Sequence, residues 1–285
     1  MSFLETKLVR ARLLPGLATL AMLSSPFQSR AADAVAIEET SMPGGKDFDQ
    51  ARMGGVRQSL HEWNVMIGPG VTYSPEFEGA KDMKIMPFPM FSATFGGVVA
   101  VDPRGISVRA YENAGFSVDL RGGYELGRSD DDADRLEGLG DVDMGGVIGA
   151  TLGYKYGPVE VYASIDKTIG GSDGLTGTFG TRVSQQYDRF LFSLGASATV
   201  VDDNHMEAYF GVTPRQSTNS GLDPYKADAG IKRFDVEASV TYMVNDNWLV
   251  RGQLGVGFLT GDAADSPIVQ REVQPTAMFM VGYKF

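Results

Sequence analysis

Few side chains in this sequence have a type and spacing that suggest chemistry. One of its two histidines, His205, follows Asp202-Asp203-Asn204. An acid beside an imidazole can activate water, but the same run also reads as solvated turn-forming chain. His61 has no evident partner, and neither a Gly-x-Ser-x-Gly elbow nor zinc-type histidine spacing occurs. Asp130-Asp131-Asp132-Ala133-Asp134 with Glu137 clusters the carboxylate oxygens that calcium prefers. It lacks the glycine and ligand spacing of a helix–loop–helix calcium loop, so a hydrated loop is the plainer reading; Asp262 and Asp265 are read the same way. Eight further charges recur inside apolar stretches: Asp119, Arg121, Glu125, Glu160, Asp166, Asp235, Glu237 and Arg251. They could line an aqueous path, or pair with one another and block it; a narrow or occluded interior is the expectation. No catalytic, cofactor or metal site is expected, and the chain is read as non-enzymatic.

The elements that would position these residues follow from composition and period. The chain has 36 Gly and no Cys, which excludes disulfides, thiolate metal sites and a lipid-modified cysteine anchor. A formal charge of −11 and the lack of a basic cluster exclude nucleic acid as a partner. Residues 1–34 read as an export signal. Lys7, Arg10 and Arg12 precede the apolar stretch Leu13–Leu23, and cleavage is expected at Ala31, Ala34 or Ala36. That stretch falls short of the roughly 20 residues a spanning helix needs, and no later one reaches it.

The remaining chain alternates with period two. In Thr276–Phe285, residues Ala277, Phe279, Val281, Tyr283 and Phe285 share one face. This is the terminal pattern expected of a barrel-assembly signal, carried by Phe279, Val281, Tyr283 and Phe285. Similar alternation predicts strands over 63–73, 83–95, 97–102, 105–112, 115–127, 142–156, 159–169, 174–186, 190–201, 233–244, 247–259 and 275–285. Ten is the alternative count to twelve, because the short segments near Gly96-Gly97 and Asp102–Gly105 could merge. Connections alternate between short turns and long loops. The expected fold is therefore an all-β transmembrane antiparallel up-and-down barrel over 63–285, with both termini periplasmic. Residues 35–62 read as a flexible periplasmic extension. Trp63, Tyr73, Trp248 and Tyr283 are expected in the interfacial aromatic girdles, and lipid and lipopolysaccharide are the expected surroundings.

The sequence also resembles the MipA/OmpV family of outer-membrane proteins. The matching stretches are Tyr73–Gly79, Pro87-Phe88-Pro89, Leu136–Asp141, Tyr209–Pro214 with Ser220-Gly221-Leu222, Gly261–Val269 and Gly282–Phe285. The resemblance implies an outer-membrane barrel and no catalytic residues. It also implies a scaffolding role that brings a murein lytic transglycosylase together with a murein synthase. A narrow porin-like channel for small solutes is the alternative function.

Overall fold

The computed structural model describes residues 63–285; the expected export signal, its cleavage sites and the extension over 35–62 lie outside the described residues. The twelve strands are β1 (Trp63–Pro75), β2 (Met83–Phe95), β3 (Val99–Asp102), β4 (Gly105–Asn113), β5 (Phe116–Glu125) and β6 (Gly145–Tyr156), followed by β7 (Val159–Ile169), β8 (Leu175–Tyr187), β9 (Phe190–Val201), β10 (Gly230–Met243), β11 (Trp248–Leu259) and β12 (Val273–Lys284). Each pairs antiparallel with the next, and β1 pairs with β12, so the sheet closes on itself. β2, β7 and β9 have the bounds the alternation predicts, and the two short segments stay separate, which gives twelve strands and not ten.

Closure follows from the pattern. A backbone N–H in hydrocarbon has no water to bond, so every strand needs a partner on both sides. Side chains then sort by alternation. Ile148, Phe179, Leu194 and Leu254 each expose more than half of their surface on the outside of the wall, as suits an apolar solvent. Phe279, Val281 and Tyr283 lie on that outer face of β12, with Phe285 just beyond its end. Trp248 and Tyr283 meet edge to face at 4.9 Å, as do Tyr283 and Phe285, and Phe190 lies 4.8 Å from Tyr242. These aromatics mark one rim of the barrel.

The short connections gather at that same rim, here called the turn end. Between β4 and β5, Ala114 and Gly115 both take positive φ (50° and 87°), the two-residue turn whose twist matches its flanking strands. The opposite rim, the loop end, carries the long connections. These contain structure that the two-residue period does not announce. Two 3-10 turns (Asp130–Asp132 and Asp134–Leu136) lie between β5 and β6, α1 (Asp203–Phe210) and α2 (Pro214–Ser220) between β9 and β10, and α3 (Gly261–Asp265) before β12. Local chemistry explains them. Asp202 caps α1, and Thr213 with Gln216 forms a capping box ahead of Pro214 in the first turn of α2.

At Gly68 the backbones of β1 and β12 approach closely. A Cβ on Gly68 would collide with the backbone carbonyl of Val281. Gly68→Val should therefore cost about 1–3 kcal/mol through overpacking, whereas Gly252→Ala, with open space around it, should cost little. Unheated samples on SDS gels report this directly. The Gly68 variant should lose its compact, fast-migrating form at a lower temperature than the parent.

Candidate functional site: a filled barrel interior

Alternation and register place Asp119, Arg121, Glu125, Glu160, Asp166, Asp235, Glu237 and Arg251 on the inner face. The wall from β4 to β10 holds most of them in a cross-strand ionic network. Arg109 grips Asp119 through two nitrogens at 2.8 and 3.1 Å. Arg121 on β5 reaches Asp166 on β7 at 3.3 Å, passing over β6. Arg182 on β8 reaches Glu237 on β10 at 3.4 Å, passing over β9. Gln253 donates to Glu237 at 3.0 Å, and Arg251 donates to Ser239 and to Gln253.

Glycine on the intervening strand makes these reaches possible. A Cβ on Gly149 would run into the Asp166 carboxylate, and one on Gly195 would press on Glu237 at 3.2 Å. The same device seats Phe88 over Gly70 and Tyr162 over Gly180. Inward glycines thus leave room for large side chains to lie flat across the lumen.

The wall of β11, β12, β1 and β2 is different. Met66, Phe88, Met90, Leu249, Met278 and Met280 point inward and bury one another, with Leu191 and Met243 packed against them at the turn end. Sequence reasoning placed Met278 and Met280 on the inner face without finding this cluster. The visible signal was a break in the polar-inside rule on β2 and β12.

Loops cover the far end. Met206, Tyr209, Phe210, Ala227, Leu259 and Ala263 form one buried cluster. Phe77, Ala80, Leu136, Leu139, Val212 and Ile268 form a second. Beneath them lies a buried charge cluster that sequence reasoning missed. Glu78 accepts from Lys232 at 3.3 Å and from Arg233 at 2.9 Å, and Arg233 also binds Asp235. The signal lay in consecutive basic residues entering β10, two positions before an inward acid.

The remaining candidates have structural employment. His205 is buried, with Nε2 3.2 Å from the Lys232 ammonium and its ring 4.8 Å from that of Tyr209. Asp202 spends its carboxylate on the helix cap, accepting from the His205 backbone N–H at 3.0 Å. Glu125 accepts from Thr168, Ser172 and the Tyr209 hydroxyl, tying β5 to the cap. Arg128 is buried and donates to the Tyr209 carbonyl at 2.8 Å; burial pushes its pKa below the ordinary arginine value. Asp132 and Asp141 close their own loop by accepting from Ser129 and Asp130. Among the described residues, no group of three or more potential ligands is arranged around a metal position.

A family profile described as MltA-interacting protein MipA matches residues 67–285. A curated relative, YiaT of Escherichia coli K12, carries the name of an outer-membrane protein and is 24% identical over 132 residues. That match covers 46% of this chain and 52% of YiaT, about half the length of either. Among solved structures, OprB of Pseudomonas putida aligns with a TM-score of 0.40 and 7% identity, over 81% of this chain and 95% of that one. An outer-membrane channel of Pseudomonas putida F1 aligns with a TM-score of 0.39 and 12% identity, over 78% of this chain and 94% of that one.

Removing Glu78 would leave two buried cations short of a partner. Glu78→Ala should destabilise the barrel by about 3–5 kcal/mol, read as a lower unfolding midpoint in urea. Asp228→Ala breaks the exposed Lys226–Asp228 pair and should leave the midpoint unchanged.

Proposed function

The chain belongs to the MltA-interacting protein MipA family, and from that premise we propose that it is a non-conducting, non-enzymatic scaffold. It is an outer-membrane β-barrel protein. Its turn end faces the periplasm, and there it holds a murein lytic transglycosylase close to a murein synthase.

The observation that carries this reading is the filled interior. Ion pairs occupy one side of the lumen, a methionine-rich cluster the other, and a packed cap closes the loop end. A solute path would have to separate these ion pairs, of which Arg182–Glu237 is largely buried and hydrogen-bonded, or displace buried thioethers, and both are costly. The buried His205 and the engaged Asp202 offer no water-activating pair, which supports a role without catalysis.

Two measurements test the proposal. In planar bilayers the purified protein should show no stable stepwise conductance; reproducible openings would favour a narrow porin-like channel instead. Chemical crosslinking of intact envelopes followed by purification should recover a transglycosylase and a synthase, and deleting residues 35–62 should reduce that recovery. Recovery of neither enzyme from the full-length chain would overturn the scaffold.

A further inference from the structure

The barrel wall is breached at one place. β3 has four residues where β1 and β2 each have thirteen. β2 pairs with β1 along its whole length but with β3 only at Ala93, Thr94 and Phe95. Among the described residues, no strand is paired to β2 on that side over Met83–Ser92. The β3–β4 turn at Pro103-Arg104 stops level with Ser92, leaving a notch through roughly the loop-end half of the wall.

Proline adapts the exposed edge. Pro69 and Pro89 face each other across β1 and β2. Neither has an N–H, so they sit at a position where the two strands exchange no bonds. It follows that Ile85, Pro87, Pro89 and Phe91 turn their backbone groups toward the notch, and two of these four have no donor to leave unsatisfied. Missing donors also make this edge a poor template for an added strand, which argues against a second protein chain pairing there.

The other side of the notch is polar. The turn Asp102-Pro103-Arg104 lies at a depth where irregular backbone is tolerated only if it is covered or wet. Behind it is a cavity of about 60 Å³ bordered by Asp102, Arg104, Arg109, Asp119 and Arg121. Asp119 is held by Arg109, and Arg121 is engaged by Asp166. Arg104 has the loosest pairing, 3.8 Å from Asp102, and its buried Nε makes no hydrogen bond. The connection between β5 and β6 folds away over the barrel mouth through Leu136 and Leu139 and packs there. One post of the notch is therefore apolar and rigid, and the other offers an underused guanidinium.

We infer that this notch holds a phosphate-bearing lipid of the outer leaflet, with an acyl chain against Pro87, Pro89 and Phe91, which β2 exposes, and its phosphate drawn down to Arg104. The inference rests on the outer-membrane reading and on the periplasmic orientation of the turn end. Local thinning of the leaflet brings the headgroup to the turn, as happens around charged groups held within bilayers.

Native mass spectrometry of the full chain in mild detergent tests this, with diphosphorylated lipid A and its dephosphorylated counterpart as probes. The parent should retain one phosphorylated lipid. Arg104→Gln should weaken retention roughly tenfold, and Arg104→Glu should weaken it further, since a charge-assisted hydrogen bond is lost. A photoreactive residue in place of Met86 should form a lipid adduct in membranes, and one in place of Gln253, behind an intact wall, should form none. Equal retention of the two probes, no effect of either Arg104 variant, or crosslinking of position 86 to a second copy of the chain would overturn the inference. Gel mobility and vesicle insertion separate the two levels. A chain that does not insert overturns the membrane reading itself, whereas one that inserts but retains no phosphorylated lipid overturns only the notch site.

Discussion

A peptide group dissolved in hydrocarbon must find its hydrogen-bond partner within the protein. That constraint accounts for the strand lengths, the closing pair β1–β12 and the apolar exterior. It also explains where the wall departs from regularity. Along the free edge of β2, Pro87 and Pro89 remove the donors that would otherwise stand unpaired, so the breach at β3 is tolerated by sequence choice and not by extra pairing. Gly68-Pro69 interrupts the pairing of β1 with β12, which leaves the first hairpin bounded by weakened seams on both sides.

Filling the lumen is a separate problem from closing the sheet. Small inward residues on one strand and long ones on its neighbours let ionic groups meet across an intervening strand, as Arg121 with Asp166 and Arg182 with Glu237 do. The abundance of glycine, which composition alone cannot interpret, is in part a packing device. Gly149 and Gly195 are vacant so that a neighbour can be large.

The two-residue period made the barrel legible because lipid outside and charge inside enforce it on every strand. The inner face of the eight charged positions was legible for the same reason. Their partners were not, since Arg121–Asp166 and Arg182–Glu237 join residues from non-neighbouring strands, and alternation fixes which way a residue faces without fixing what it meets. The uncertainty over ten or twelve strands fell on Gly96-Gly97 and Asp102–Gly105, where the wall is physically incomplete and β3 is too short to show a period. Asp202 was legible as a turn former. Its service as a helix cap depends on the apolar residues that α1 buries beneath the loops, which no local spacing announces.

The inward thioethers give the lumen a vulnerability that its ionic half lacks. Met66, Met90, Met278 and Met280 lie together in a buried apolar cluster, and oxidation of any one would place a polar sulfoxide among apolar neighbours. A bleach-like oxidant small enough to enter the barrel would loosen the half of the interior that holds β1 and β2 in place. Envelope stress would then register in this protein as softened packing beside the breach, with no bond in the main chain broken.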